Sequence, residues 1–246
     1  MQQYGLIGKS IQHSFSPSYF AKKFEREAIT NAQYDLFPLP QIEDFPTLIH
    51  GANNWGGLNV TIPYKEQIIP YLDDLSAEAK AVGAVNTIAL ENGKLIGHNT
   101  DVLGFEESLL TLLPSNYTSI KALILGTGGA AKAVAYVFDK LNISYLYVSR
   151  KEAPQQLLYP QINKAVLQEY SLIINTTPVG QHPAISNAPN LPYAMLGAEH
   201  FLMDLIYNPV ETLFLERGRL RGAKVLNGLP MLKAQAEAAW RIWTNG

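Results

Sequence analysis

Short apolar runs alternate along the chain with stretches whose apolar residues return every three or four positions, a pattern that predicts repeated βαβ units. Tyr4 to Ile7 reads as a first strand, Ser18 is placed to cap a helix containing Phe20, Phe24 and Ala28, and Tyr34 to Phe37 reads as the next strand. After Pro40 a helix is expected from Ile42 to Ile49, then a strand over Leu58 to Val60 and a helix over Ala77 to Val82. A strand from Val85 to Leu90 is expected to turn at Glu91-Asn92-Gly93 into another over Lys94 to Gly97. Asp101 is placed to cap a helix that runs through Phe105, Leu109 and Leu112 and ends near Pro114.

The second half is punctuated differently. Ala122 to Leu125 is a short apolar run that breaks into Gly126, Gly128 and Ala131 before helix formers take over. That is a strand, a glycine turn and a helix, with free backbone N–H groups at the new helix start. Further strands are expected at Ser144 to Val148, Leu172 to Asn175, Phe201 to Asp204 and Lys224 to Leu226, with an irregular ligand-facing loop from Pro178 to Pro192 and a closing helix from Pro230 to Trp243. The expected fold class is α/β with two domains. An N-terminal α/β domain spans residues 1–102, a Rossmann-like domain spans 103–228, and the C-terminal helix, 229–246, returns to the first.

At 246 residues the chain is long enough for two modest cores. A net charge of −2 and the lack of any basic run point away from nucleic acid and anionic membranes. There is no cysteine, which excludes disulfides, thiolate metal sites and a cysteine nucleophile. The five histidines show no metal spacing. The start Met1-Gln2-Gln3 lacks a signal-peptide pattern, no apolar run reaches membrane-spanning length, and the chain reads as cytoplasmic, either monomer or homodimer.

Candidate chemistry gathers in a few stretches. A glycine pattern such as Gly126 to Ala131 also occurs in ligand-free turns, but the strand that follows ends in Ser149-Arg150-Lys151, where a Rossmann fold reads the adenosine ribose. Cations there suit a 2′-phosphate, hence NADP, with Arg150 favoured over Lys151 because a guanidinium can both stack and hold phosphate. In Asn59-Val-Thr-Ile-Pro-Tyr-Lys65, Pro63 reads as the first residue of a helix, which puts Lys65 in a first turn that disfavours an ammonium. Either Lys65 exchanges protons with a substrate, or it faces water with Glu66 as counter-charge. Asp101 serves as an N-cap, with a pairing to Lys65 also open, and Asn86 reads as a turn residue at a strand start. Ser14 and Ser16 offer two hydroxyls facing one way in an extended segment, although serines before a helix are mostly caps.

Together these stretches resemble the shikimate dehydrogenase family. The resemblance covers essentially the whole chain in family order: Gly5-Leu-Ile-Gly with His13-Ser-Phe-Ser-Pro, Asn59-Val-Thr-Ile-Pro-Tyr-Lys, Gly83-Ala-Val-Asn-Thr, Gly97-His-Asn-Thr-Asp-Val-Leu-Gly-Phe, Gly126-Thr-Gly-Gly-Ala, Asn175-Thr-Thr-Pro-Val-Gly, Asp204-Leu-Ile-Tyr-Asn-Pro, and Asn227-Gly-Leu-Pro-Met-Leu-Lys-Ala-Gln. It implies a substrate domain, an NADP domain and an active site in the cleft between them. The implied reaction is reversible reduction of 3-dehydroshikimate to shikimate with NADPH. Lys65 and Asp101 match the family's catalytic pair; Ser14, Ser16, Thr61, Asn86, Tyr207 and Gln235 match substrate positions. Gly126, Thr127, Gly128, Gly129, Ala130, Arg150, Leu205 and Gly228 match cofactor positions.

The chain departs from the family in three places. Ser149-Arg150-Lys151 stands where Asn-Arg-Thr is common, so the threonine hydroxyl that helps hold the 2′-phosphate is missing and Lys151 is its candidate replacement. The segment between Arg150 and Asn175 is short, and Phe20 stands where many members have a histidine. Competing readings are a dehydrogenase of dual quinate and shikimate specificity, a methylenetetrahydrofolate dehydrogenase-like protein, against which the motifs around Asp101 and Gln235 argue, and a non-catalytic NADP-binding regulator, which the presence of both Lys65 and Asp101 disfavours.

Overall fold

The computed structural model describes residues 1–51 and 54–245. In chain order the elements begin with β1 (Gln2–Gly8), α1 (Ser16–Arg26), β2 (Ala32–Pro38), α2 (Phe45–His50), β3 (Trp55–Val60), β4 (Asp74–Leu75), α3 (Ala77–Val82), β5 (Thr87–Glu91), β6 (Lys94–His98) and α4 (Thr100–Leu112). There follow β7 (Ala122–Leu125), α5 (Gly129–Lys140), β8 (Tyr145–Ser149), β9 (Gln156–Leu158), α6 (Lys164–Glu169), β10 (Leu172–Asn175), β11 (Phe201–Asp204), α7 (Leu213–Arg219), β12 (Lys224–Leu226) and α8 (Leu229–Asn245). The chain divides into two compact units, residues 1–100 with 236–246, and residues 101–235, so that the boundary falls inside α8.

Unit 1 is built on a mixed sheet of order β2-β1-β3-β5-β6-β4. β1 pairs in parallel with β2 and β3, whereas β5 runs antiparallel to β3 and β6. Alternation along the strands sends Ile7, Leu58 and Val60 to one core with Phe45, Tyr64 and Ile68. Tyr4, Leu6 and Tyr34 go to the other face, under Phe20 and Phe24 of α1 and Ala236, Trp240 and Trp243 of α8. Trp243 donates from Nε1 to the Ile88 carbonyl (3.0 Å). The β5–β6 turn carries positive φ at both Asn92 (52°) and Gly93 (78°), the backbone that a tight hairpin requires.

Unit 2 is an all-parallel sheet of order β12-β11-β10-β7-β8-β9. Its strands β11, β10 and β7 carry the buried apolar residues that such a sheet needs on both faces, whereas in β8 only Val148 is buried.

Several local expectations change. α1 begins at Ser16 with Pro17 in its first turn; Ser18 lies inside it and donates to the Phe15 carbonyl (3.0 Å) rather than capping. Ala28 lies beyond α1 at φ 52°. The expected helix over Ile42 to Ile49 splits into a 3-10 turn, Ile42–Asp44, and α2. No helix starts at Pro63: residues 62–68 form consecutive turns, and the Ile62–Pro63 peptide is cis. The helix-dipole argument for Lys65 therefore falls. Asp101 is the second residue of α4, not its cap.

Candidate functional site

In unit 1 the candidate residues gather at one end of the sheet. Ser14 and Ser16 follow the C-terminal end of β1, Thr61 and Lys65 follow that of β3, and Asn86 precedes β5, which runs the opposite way. The segment bearing Lys65 is pinned along its backbone. Thr61 N donates to Ile7 O (2.9 Å), Tyr64 N to Thr61 O (2.9 Å) and Val85 N to Lys65 O (2.7 Å), while the Tyr64 hydroxyl donates to Leu39 O (2.7 Å). Lys65 is half-buried in a fixed main-chain frame, a suitable mounting for a proton donor.

Asn86 is no simple turn residue. It is buried, and its Oδ1 accepts from the Thr100 backbone N–H (2.7 Å), so Asn86 does the capping expected of Asp101. The same oxygen lies 3.2 Å from the Thr87 and Thr100 hydroxyls. Asn59, also buried, donates from Nδ2 to Asn86 O (3.2 Å) and Thr87 Oγ1 (3.1 Å), and its Oδ1 accepts from the Tyr34 hydroxyl (2.8 Å). Neither Tyr34 nor Asn59 stood out by spacing. Ser14 and Ser16 place their hydroxyls 3.5 Å apart, and Ser16 N donates to Ser14 Oγ (3.3 Å).

Unit 2 holds Asp101, Tyr207, Gln235 and every candidate cofactor residue. With Asp101 in its first turn, α4 has a carboxylate where the helix dipole favours one. A Cβ at Gly104 would stand 2.7 Å from Met231 O and 3.0 Å from Gln235 N, so glycine lets α4 and α8 approach closely.

The glycine turn follows β7, which lies beside β10 where the strand order reverses. Gly126 adopts φ 106°, and a Cβ on it would meet Thr176 Oγ1 at 2.9 Å. A Cβ on Gly128 would meet nothing within 4 Å. Thr127 to Ala130 are exposed, and the N-terminus of α5 carries neither a side-chain cap nor an acidic residue. These features fit a dinucleotide pyrophosphate. Arg150 is exposed just past the end of β8, next to β7, where a ribose 2′-phosphate would be read.

Leu205 N donates to Asn175 O (3.0 Å). A Cβ on Gly228 would stand 2.2 Å from Leu205 O, so the two cofactor candidates press backbone to backbone. Behind them lies a site that single-sequence reading missed. Asp204, fully buried, accepts from Asn175 Nδ2 (3.0 Å), Ile206 N (3.0 Å) and the Thr212 hydroxyl (2.6 Å). Burial pushes its carboxyl up to about 6, against the lowering effect of those three donors. Its signals were a polar residue at the end of an apolar strand and its place at the head of the Asp204-Leu-Ile-Tyr-Asn-Pro motif. Among the described residues there is no metal-binding cluster, and no helix is long and apolar enough to cross a membrane.

A mixed-sheet unit joined in one chain to a parallel-sheet unit with an open glycine turn defines the class: a two-unit α/β protein with a dinucleotide-type nucleotide site. The model of the shikimate dehydrogenase substrate binding domain matches residues 6–88. The "Shikimate dehydrogenase (NADP(+))" of Desulforamulus reducens is 35% identical over 98% of this chain and 89% of its own length. The chain belongs to the shikimate dehydrogenase family. Among solved structures, the Thermus thermophilus shikimate 5-dehydrogenase in complex with NADP(H) and shikimate is similar at TM-score 0.83 and 31% identity, covering 100% of this chain and 94% of that one. A quinate dehydrogenase from Corynebacterium glutamicum in complex with NAD is similar at TM-score 0.88 and 27% identity, with the same coverage.

Proposed function

We propose that this chain reversibly reduces 3-dehydroshikimate to shikimate with NADPH, in the pathway to chorismate and the aromatic amino acids. The observation that carries the reading is family membership along nearly the whole chain, joined to an open glycine turn with an arginine at the end of the neighbouring strand. Residues 1–102 and the C-terminal helix act as the substrate domain, and 103–228 as the NADP domain. NADPH supplies a hydride to the substrate's carbonyl carbon. Lys65 gives a proton to the oxygen that becomes negative, and Asp101 accepts a hydrogen bond from the adjacent substrate hydroxyl. Ser14 and Ser16 hold the carboxylate; Thr61, Asn86, Tyr207 and Gln235 hold the hydroxyls. The turn Gly126-Thr127-Gly128-Gly129-Ala130 takes the pyrophosphate, Arg150 the 2′-phosphate, and Leu205 and Gly228 the nicotinamide side.

The test is NADPH oxidation on adding 3-dehydroshikimate, repeated with NADH, with 3-dehydroquinate, and with Lys65→Ala. Turnover of 3-dehydroshikimate that falls by a factor of at least about 10² in the variant, with substrate binding retained, is the expected result. Equal turnover of 3-dehydroquinate would replace the reading with dual quinate and shikimate specificity, and NADPH binding without turnover of either acid would refute it.

A further inference from the structure

Three segments of unit 2 meet on one side chain. Asn175 and Asp204 end β10 and β11 side by side in register, and both are fully buried. Asp204 Oδ1 accepts from Asn175 Nδ2 (3.0 Å) and the Ile206 backbone N–H (3.0 Å), while Oδ2 accepts from the hydroxyl of Thr212 (2.6 Å), the cap of α7. Asn175 carries the link into the next loop. Its Oδ1 accepts from Thr177 N (3.1 Å) and the Thr177 hydroxyl (2.6 Å), and its Nδ2 also donates to Val179 O (3.3 Å). A carboxylate can accept from all three of its donors without bringing a hydrogen of its own that needs a partner. The backbone it grips is held from both neighbouring strand ends as well, since Leu205 N donates to Asn175 O (3.0 Å) and Gly228 N to Ile206 O (3.0 Å).

We propose that Asp204 is a positioning residue for the nicotinamide half of the cofactor, its carboxylate tying the backbone of 205–206 to the 175–179 loop and to α7 so that Leu205 and Gly228 offer the ring one fixed surface. This rests on the reading of Leu205 and Gly228 as the nicotinamide side. Hydride transfer is sensitive to placement, and a displacement of about 1 Å costs about 10²-fold in rate. A loop end bound from behind by buried hydrogen bonds holds that placement without touching the ligand. The adenosine half is read elsewhere. Arg150 follows β8, and in the order β11-β10-β7-β8 that is three strands from Asp204, roughly 14 Å at the ordinary strand spacing. Slackening Asp204 therefore loosens one half of the cofactor site and spares the other.

The test titrates wild type, Asp204→Ala and Asp204→Asn with NADPH and with adenosine 2′,5′-bisphosphate, which carries the 2′-phosphate but no nicotinamide, and measures kcat with 3-dehydroshikimate. In Asp204→Ala the dissociation constant of NADPH is expected to rise about ten-fold, the scale of one hydrogen bond, and kcat to fall at least about ten-fold. The constant for the bisphosphate should stay within about two-fold of wild type. Asp204→Asn keeps an oxygen for Asn175 and Ile206 and should recover most of both losses. Both constants are read without turnover, so they stand apart from the test of the reaction itself. A general loss of fold weakens the two ligands alike, which overturns the proposal. So does an Asp204→Ala protein that keeps its NADPH constant while Gly228→Ala, which crowds Leu205 O directly, raises it. If Gly228→Ala also leaves the ratio of the two constants unmoved, Leu205 and Gly228 do not face the nicotinamide, and the Asp204 proposal falls with that reading. Should Asp204→Ala not fold, Thr212→Val removes one donor and frees the carboxylate to turn; it should move the ratio in the same direction, with Thr212→Ser restoring it, and an unmoved ratio refutes the positioning role.

Discussion

Asp204 makes pH dependence a test of the fold behind the candidate cofactor residues. It is a buried carboxylate with three hydrogen-bond donors, and its folded-state pKa of about 6 stands above a reference of 3.8. Folding therefore favours the protonated form. The group's contribution to stability is fully present below about pH 4, where it is protonated folded and unfolded alike, and is lost as pH rises through about 6. A shift of roughly two units corresponds to about 3 kcal/mol between those limits, of which about 2 kcal/mol falls between pH 4.5 and 7.5. Asp204→Asn keeps an oxygen for Asn175 and Ile206 and turns an amide towards Thr212 Oγ1, which can accept. The variant should lack this titration. The difference in unfolding free energy between the two proteins, from urea unfolding followed by circular dichroism at several pH values, cancels the other titrating groups. It should move by about 2 kcal/mol in favour of the variant as pH rises from 4.5 to 7.5. A difference that stays constant across that range would show that Asp204 is not held near neutrality by burial.

Two further perturbations address packing. Gly228→Ala forces a methyl group to within 2.2 Å of Leu205 O, a backbone atom with no rotamer to escape into; it should cost about 1–3 kcal/mol of stability and raise KM for NADPH more than KM for shikimate, as a thermal melt and steady-state kinetics would show. Lys23, only 4% exposed, bridges Glu237 (2.7 Å) and Glu27 (2.9 Å) beneath Trp240, and Glu237 also accepts from the Tyr19 hydroxyl. Lys23→Met should lose about 1–3 kcal/mol in urea unfolding, less than for a fully buried pair because both glutamates are partly solvated, and adding Glu237→Gln should recover part of the loss.

Strands that are buried on both faces were legible to the residue. Ala122–Leu125, Leu172–Asn175 and Phe201–Asp204 are apolar runs closed by glycine, asparagine or aspartate, and nothing in their surroundings competes with that pattern. Of the short edge strands, Lys224–Leu226 was legible from the Asn-Gly that follows it, but β4, two residues long, and β9, three, are too short to carry a period. Pro63 misled because proline marks helix starts and turns alike, and the backbone bonds of 61–68 are shared between the segment's own turns, Tyr64 N to Thr61 O and Ile68 N to Tyr64 O, and Ile7 and Val85 outside it. The motifs drew attention to Asn86 and Asp101, but the cap came from the residue fourteen positions upstream of Thr100, a contact set by the β5–β6 hairpin and invisible to local spacing. The bond between Tyr34 and Asn59 escaped for the same reason, since it joins strands that are not even neighbours in the sheet.

A common rule explains where both sets of candidate residues fell. In unit 1, β1, β3 and β6 point one way and β5 the other, so the segments after Gly8, Val60 and His98 and the one before Thr87 share a single end of the sheet. In unit 2 all strands are parallel, so the segments after Leu125, Ser149, Asn175, Asp204 and Leu226 share an end as well. At those ends backbone groups leave the ladder and need partners, and small polar side chains supply them: Asn86 for Thr100, Thr176 for Leu125 O (2.6 Å), Asn175 for Thr177 N (3.1 Å), Asp204 for Ile206. The residues that finish the strands are therefore the ones that stiffen the loops. A substitution such as Asp204→Asn, made behind a loop rather than on it, tests whether that stiffness is what the candidate sites use.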